Sequence, residues 1–139
     1  MKKVILSLFF LPSFLLAQDL MQVRSFRQQR ETELISEFKS FLAIPNIASD
    51  MPNIMRNAAW ISDYMRKTGI QNVQLLSPQT PGKPPAVFGE VITPGATETI
   101  IFYAHYDGQP VDSTKWSEGL HPFRPQLASN SLLKGGQLI

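Results

Sequence analysis

Cysteine is absent from this 139-residue chain, and its absence excludes disulfide bonds, a lipid-modified cysteine and thiolate metal ligands. Any metal ion would have to be held by histidine, aspartate or glutamate. Histidine itself is scarce, with two copies at His105 and His121. An exported domain without cysteine must depend on its apolar core or on a bound metal for stability.

Long runs of one charge are missing as well. The 13 basic and 11 acidic residues are dispersed, which excludes a nucleic-acid groove or another polyanion partner. Lys2 and Lys3 lie in a segment that we expect to be removed. Without those two, 11 basic residues face 11 acidic ones, so the mature chain is neutral.

The chain has one extended apolar run, residues 4–16, and this run is too short for a comfortable membrane span. Lys2 and Lys3 precede it, and Ala17 follows it as a small residue. This pattern predicts a signal peptide over residues 1–17, export to the periplasm or the medium, and no stable membrane span after cleavage. An uncleaved N-terminal anchor is the alternative.

Two helices are predicted in the first half of the chain. Apolar residues at spacings of three and four predict a helix over residues 20–43, ended by Pro45, and a second over 52–67. Pro52 suits the first turn of the second helix, and Gly69 suits its end. The apolar positions are Val23, Phe26, Leu34, Ile35, Phe38, Phe41 and Leu42 in the first helix, and Ile54, Ala58, Ile61 and Met65 in the second, where Trp60 is expected to be a core residue and not a ligand contact.

Three strands are predicted after the helices, over residues 72–76, 86–92 and 99–104. The third, TIIFYA, is apolar on both faces, which predicts a central strand that is covered on both sides. The order of elements favours an α/β layered domain. Two helices and three strands do not provide that cover, so we expect the domain to be incomplete.

The triplet His105-Tyr106-Asp107 begins where the third strand ends. In extended chain, positions i and i+2 point to the same side, so Asp107 can accept a hydrogen bond from one ring nitrogen of His105. The other nitrogen is then available to a metal ion. A histidine two residues before an aspartate is also common by chance, and the usual interpretation is a satisfied polar residue at a strand end.

The surrounding sequence favours the metal site. Residues 102–125 read FYAHYDGQPVDSTKWSEGLHPFRP, which resembles the co-catalytic zinc metallopeptidase family of carnosinases, aminoacylases and carboxypeptidase G. Carnosinase-like members carry an apolar strand, H-Y-D-x-Q-P-V-D, a tryptophan and P-F-x-P. The resemblance covers about residues 25–135, including FLAIPNIAS. The matching positions are His105, Tyr106, Asp107, Gln109, Pro110, Val111, Asp112, Trp116, Pro122, Phe123 and Pro125.

The resemblance implies roles for a few positions. His105 would ligate one zinc of a two-zinc pair, and Asp107, as a residue of the catalytic site, would orient it. Trp116 and Phe123 would pack the loop over the site, and His121 would be a surface residue. Substrate-binding residues are not identified.

The resemblance also implies that residues 18–134 are the N-terminal part of an α/β/α layered zinc-peptidase catalytic domain. The family's bridging aspartate in G-R-G-x-x-D, its Glu-Glu pair with the general base, a further acid and a last histidine have no counterpart here. Its inserted domain, through which members often form homodimers, has none either. We therefore expect an inactive fragment of a secreted peptidase for dipeptides or N-acyl amino acids, without tight zinc binding.

Residues 135–139 differ from the sequence that the family carries at this point. The chain ends in KGGQLI, whereas the family continues with G-R-G-x-x-D. Permitted codons for Lys-Gly-Gly-Gln-Leu-Ile, read one base out of frame, encode Arg-Gly-Ala-Thr-Asp. A frameshifted tail is our hypothesis, to be tested on the downstream nucleotide sequence, and a partial sequence or a gene-model error is the alternative.

Two other functions compete with the peptidase fragment. The first is a non-catalytic secreted α/β binding module derived from the same family. The second is a single-metal binding protein that uses His105, His121 and nearby acids, although their spacing gives it no support.

Overall fold

The computed structural model describes the backbone of residues 12–139 and the side chains from residue 20 onward. The chain divides into two units, residues 1–37 and 38–139. The predicted signal peptide, residues 1–17, lies outside the part whose side chains are described. Within the described part, none of the helices has both the length and the apolarity to cross a membrane. The elements are α1 (Pro12–Gln29), α2 (Glu31–Leu42), α3 (Met51–Lys67), β1 (Gln71–Leu76) and β2 (Ala86–Glu90).

The prediction of one helix over residues 20–43 is wrong in one respect, because a turn at Arg30 separates α1 from α2. The break is local, since the Leu34 amide still donates to the Arg30 carbonyl over 2.9 Å. Glu31 and Glu33 then occupy the first turn of α2. Carboxylates there complement the positive end of the helix dipole, which explains why a new helix begins at this point.

The apolar positions of α1 and α2 are less buried than their spacing suggests. Val23, Phe26 and Phe38 are more than half exposed, and α2 contains no buried residue. Phe41 is an exception to this exposure, because its ring stacks on Trp60 with 4.7 Å between ring centroids. The predicted helical spacing is therefore correct, but among the described residues the apolar side chains of α1 and α2 do not form a buried core.

The core of the second unit lies on α3. Its N-cap is Asp50, whose carboxylate accepts a hydrogen bond from the Asn53 amide over 3.3 Å. Ile54 and Ala58, two of the predicted stripe positions, are fully buried. Trp60 stacks between Phe41 and Tyr64 and is therefore a packing residue, as predicted.

A two-stranded antiparallel sheet packs against α3. β1 and β2 pair in the register Gln74 to Phe88 and Leu76 to Ala86, with an irregularity between Gln71 and Gln74. These strands confirm the predictions for residues 72–76 and 86–92 to within two residues. The sheet approaches α3 closely because Gly89 has no side chain.

The prediction of a central strand over residues 99–104 is wrong for this structure. No strand is assigned there, and Ile101 and Phe102 are 86% and 92% exposed. A central strand needs neighbours on both edges and cover on both faces. Among residues 12–139 no segment pairs with this one, so its apolar side chains remain in solvent.

The last residues fold back on the chain. Ala128 and Leu138 form an antiparallel bridge, and the Ser129 amide donates to the Gln137 carbonyl over 2.9 Å. Gly135 provides the turn with a φ of 78°. The division at residue 135 and the frameshift hypothesis stay predictions.

Candidate metal-ligating site

The centre of the candidate site is a hydrogen-bonded pair. His105 Nδ1 lies 3.1 Å from Asp107 Oδ1. Because a carboxylate can only accept, we assign the ring proton to Nδ1. Nε2 then carries the lone pair and has no hydrogen-bond partner among the described residues. The His105 side chain is 72% exposed, so Nε2 is accessible to a metal ion from solvent.

Tyr106 anchors the pair from the opposite side of the chain. Its hydroxyl donates to the carbonyl of Pro85, a buried residue that directly precedes β2. Burial, and secondly the negative charge of Asp107, raise the pKa of Tyr106 above its ordinary value of 10.0. The phenol therefore stays protonated and able to donate at neutral pH.

The turn after Asp107 is fixed by a parallel bridge between Gly108 and Ile47. The Gly108 amide donates to the Asn46 carbonyl over 2.6 Å, and the Ala48 amide donates to the Gly108 carbonyl over 3.0 Å. The Asn46 side chain also lies within 3.5 Å of the Tyr106 carbonyl. Residues 45–48, which lie between α2 and α3, thus hold the candidate metal-ligating turn, residues 105–108.

Gly108 is required at this bridge for steric reasons. A Cβ atom at position 108 would lie 3.0 Å from both side-chain polar atoms of Asn46. The glycine that follows Asp107 therefore leaves room for the Asn46 side chain at this bridge.

Asp112 has a local structural use. Its carboxylate accepts hydrogen bonds from the Thr114 hydroxyl over 2.6 Å and from the Thr114 amide over 3.0 Å. Both bonds lower the pKa of Asp112. The aspartate caps the short 3₁₀ helix Ser113–Lys115 and is engaged as a cap, not as a metal ligand.

The aromatic residues of the motif lie further along the chain. Phe123 is half-buried, and its amide donates to His121 Nδ1 over 3.2 Å. His121 was predicted to be a surface residue, and it is also half-buried, with its ring edge against Phe123. Trp116 remains nearly half exposed. The packing of Trp116 and Phe123 over the site stays a prediction.

The donors present do not make a complete metal site. Within the described range, no group of three or more His, Asp and Glu side chains converges on one point. A catalytic zinc needs about three protein ligands. His105 offers one, and Asp107 is engaged with its ring. The same finding removes support for a single-metal site made from His105, His121 and nearby acids.

Sequence reasoning missed two parts of the site. Asn46 and Pro85 contact the candidate metal-ligating turn from distant positions in the chain. The segment FLAIPNIAS was noted as part of the family resemblance, and this was a usable signal for Asn46. Nothing in the sequence marks Pro85, because its contact is made by a backbone carbonyl.

No family model matches this chain. The Cys-Gly metallodipeptidase DUG1 of Candida albicans is 28% identical in an alignment of 95 residues, and the match covers 60% of this chain and 20% of that protein. The solved structure of the dipeptidase Dug1p from Saccharomyces cerevisiae matches with a TM-score of 0.60 and 21% identity. The match covers 78% of this chain and 24% of that one. The chain is weakly homologous to a Cys-Gly metallodipeptidase over part of its length.

This relationship confirms the resemblance drawn from residues 102–125 and the expectation of an incomplete α/β domain. The chain spans about a fifth to a quarter of the length of the relatives it matches. The likeness to Dug1p, at this identity, concerns the fold. The described helices and two-stranded sheet are part of that α/β architecture.

Proposed function

We propose that this chain contributes one half of a metal-dependent peptidase site and is inactive by itself. His105 would ligate the metal through Nε2, and Asp107 would fix the ring. The observation that carries the proposal is the 3.1 Å contact between His105 Nδ1 and Asp107 Oδ1, which leaves Nε2 exposed. It is supported by the relationship to a Cys-Gly metallodipeptidase.

Metal-assisted amide hydrolysis requires more than this pair supplies. The metal must polarise the scissile carbonyl and activate a water molecule, and a base must take the proton. The described residues provide neither a full ligand set nor a base near His105. We propose zinc as the metal, because imidazole and carboxylate ligands suit it. A complete site would hold two zinc ions.

The proposed substrates are dipeptides or N-acyl amino acids. We further propose that residues 1–17 direct export, and that a homodimeric state, as in the family, belongs to the complete domain. Export can be tested by cell fractionation of the chain with and without residues 1–17. Equal cytoplasmic retention of both forms would overturn it.

The decisive experiment uses the full chain with zinc and a dipeptide such as Cys-Gly. We expect weak zinc binding by equilibrium dialysis and no hydrolysis by amine release. His105→Ala should abolish the binding, whereas the matched control His121→Ala should keep it. Zinc-dependent hydrolysis by the isolated chain would overturn its inactivity, and zinc binding that survives His105→Ala would overturn the ligand assignment.

The alternative of a non-catalytic binding module gains no support from the fold. Such a module needs a self-sufficient core, and the buried side chains of the described part are few: Ile54, Asn57, Ala58, Ser62 and Pro85. The apolar segment 99–104 lies in solvent instead.

A further inference from the structure

Asn57 is a buried amide with a contact outside its own helix. Its side chain is on α3 and the residue is 1% exposed. Its Nδ2 donates to the Asn53 carbonyl over 2.8 Å and to the Pro45 carbonyl, also over 2.8 Å. The first bond lies within α3, but the second joins α3 to the segment 45–48. A buried amide that satisfies two carbonyls at once is costly to remove.

Segment 45–48 is the same segment that holds the metal-ligating turn. From Pro45 the chain continues to Asn46, whose carbonyl accepts from the Gly108 amide. Gly108 follows Asp107 directly. Two hydrogen bonds, joined by the backbone of this segment, therefore connect Asn57 to Gly108, the residue that follows Asp107.

We propose that Asn57 is a positioning residue for the His105–Asp107 pair, acting through the Pro45 carbonyl and the Gly108–Ile47 bridge. Its relevance to a metal rests on the proposed function, but the positioning itself does not. Loss of the Asn57 amide removes the side-chain bond from α3 to segment 45–48, although the Asp50 amide still donates to the Ile47 carbonyl, and the bridge beside Asp107 loses part of its support. Asp107 then no longer holds the His105 ring in one tautomer.

Ser62 is a matched control within the same helix. It is also buried, at 2% exposure, and its hydroxyl donates to the Ala58 carbonyl over 2.8 Å. This bond remains within α3 and has no link to segment 45–48. Ser62→Ala therefore removes a buried hydrogen bond from α3 without touching the proposed path.

The sharpest variant is Asn57→Ser. A serine can donate to the carbonyl four residues back, as Ser62 does, but it is too short to reach Pro45. Asn57→Ser thus keeps the bond inside α3 and removes the link to the turn. Asn57→Ala removes both.

The readout is the imidazole ¹⁵N spectrum of His105 in the full, metal-free chain at slightly alkaline pH, with His121 as internal reference. We expect the wild type and Ser62→Ala to show mainly the Nδ1-protonated tautomer. Asn57→Ser and Asn57→Ala should show a mixture in which the Nε2-protonated form has grown several-fold. The His121 signals should not move.

Three results would overturn the inference. One is an unchanged His105 tautomer in a folded Asn57→Ser chain. Another is the same change in Ser62→Ala, which would mean general loosening of α3. The third is unfolding of both Asn57 variants by circular dichroism, which would assign the residue to the fold alone. Zinc does not enter this experiment, so failure of the proposed metal site would leave its outcome readable.

Discussion

At the scale of single residues, the candidate site is a short turn whose side chains alternate in direction. His105 and Asp107 point to one side and make their own hydrogen bond, while Tyr106 is tied to Pro85 on the other. The alternation follows from extended backbone. The turn is fixed at both ends by atoms that are far away in the sequence.

Gly108→Ala should loosen this turn. The added Cβ would press on the Asn46 side chain at 3.0 Å, so we expect a loss of about 1–2 kcal/mol in the free energy of unfolding, measured by urea denaturation. The double variant Asn46→Gly with Gly108→Ala should recover much of the loss, because the side chain that the Cβ meets is gone. Additive effects would contradict this steric account.

Tyr106 should make stability fall at alkaline pH. Its pKa in the folded chain is raised above 10.0, so the folded state holds the phenolic proton more tightly than the unfolded state does. The associated stability is fully present below pH 10 and is lost as pH rises through the higher folded pKa. Urea denaturation between pH 8 and 11.5 should show the fall in the wild type and a smaller one in Tyr106→Phe.

Tyr103→Phe is the control for this pH dependence, since Tyr103 is a largely exposed tyrosine of the same segment. We expect it to keep the wild-type profile. An identical alkaline fall in Tyr106→Phe would show that another group is responsible.

At the scale of elements, the sheet and α3 meet at Gly89. A Cβ atom at this position of β2 would lie 2.6 Å from Ile70 Cγ2 and 2.7 Å from Met65 Cε. Met65 is on α3, and Ile70 directly precedes β1. The sheet therefore packs at a distance that only a glycine permits without repacking.

Gly89→Ala should destabilise this contact by about 1–3 kcal/mol, because the packed side chains must move to accept a methyl group. Val91→Ala, at an exposed position just beyond β2, is the comparison and should change stability by less than about 0.5 kcal/mol. Both values come from chemical denaturation followed by circular dichroism. A neutral Gly89→Ala would mean that the long Met65 side chain moves aside at no cost.

At the scale of the whole molecule, the exposed segment 99–104 dominates the surface chemistry. Ile100, Ile101, Phe102 and Tyr103 are all more than three-quarters exposed and form an uncharged run with high strand propensity. Such a run is a site of self-association when nothing pairs with it.

Ile101→Lys should therefore reduce aggregation of the chain and its binding of a hydrophobic dye, measured by sedimentation and fluorescence. Leu133→Lys is the matched control, because Leu133 is also exposed but stands outside this run. We expect it to leave both signals close to those of the wild type. Equal effects of the two substitutions would show that net charge, and not the segment, controls association.

Local patterns along the chain are sufficient to predict several features of this protein. Helical spacing placed α3, alternating and turn residues placed β1 and β2, and the two-residue spacing of His105 and Asp107 predicted their contact. The motif around them led to the metallodipeptidase relationship. These features depend on residues near one another in the chain, so local patterns report them.

The folded structure was needed to establish what surrounds those features. It showed that segment 99–104 is exposed to solvent. An apolar pattern indicates that a segment needs neighbouring elements to be buried, but it does not show that those elements are present. The structure also showed that Pro85 and Asn46 contact the turn at residues 105–108 and that Asn57 contacts Pro45, because hydrogen bonds to backbone carbonyls across 12 to 60 positions leave no periodic trace in a sequence. Local sequence determines the type of each element and the side to which its side chains point. Long-range contacts determine where each element lies in the fold.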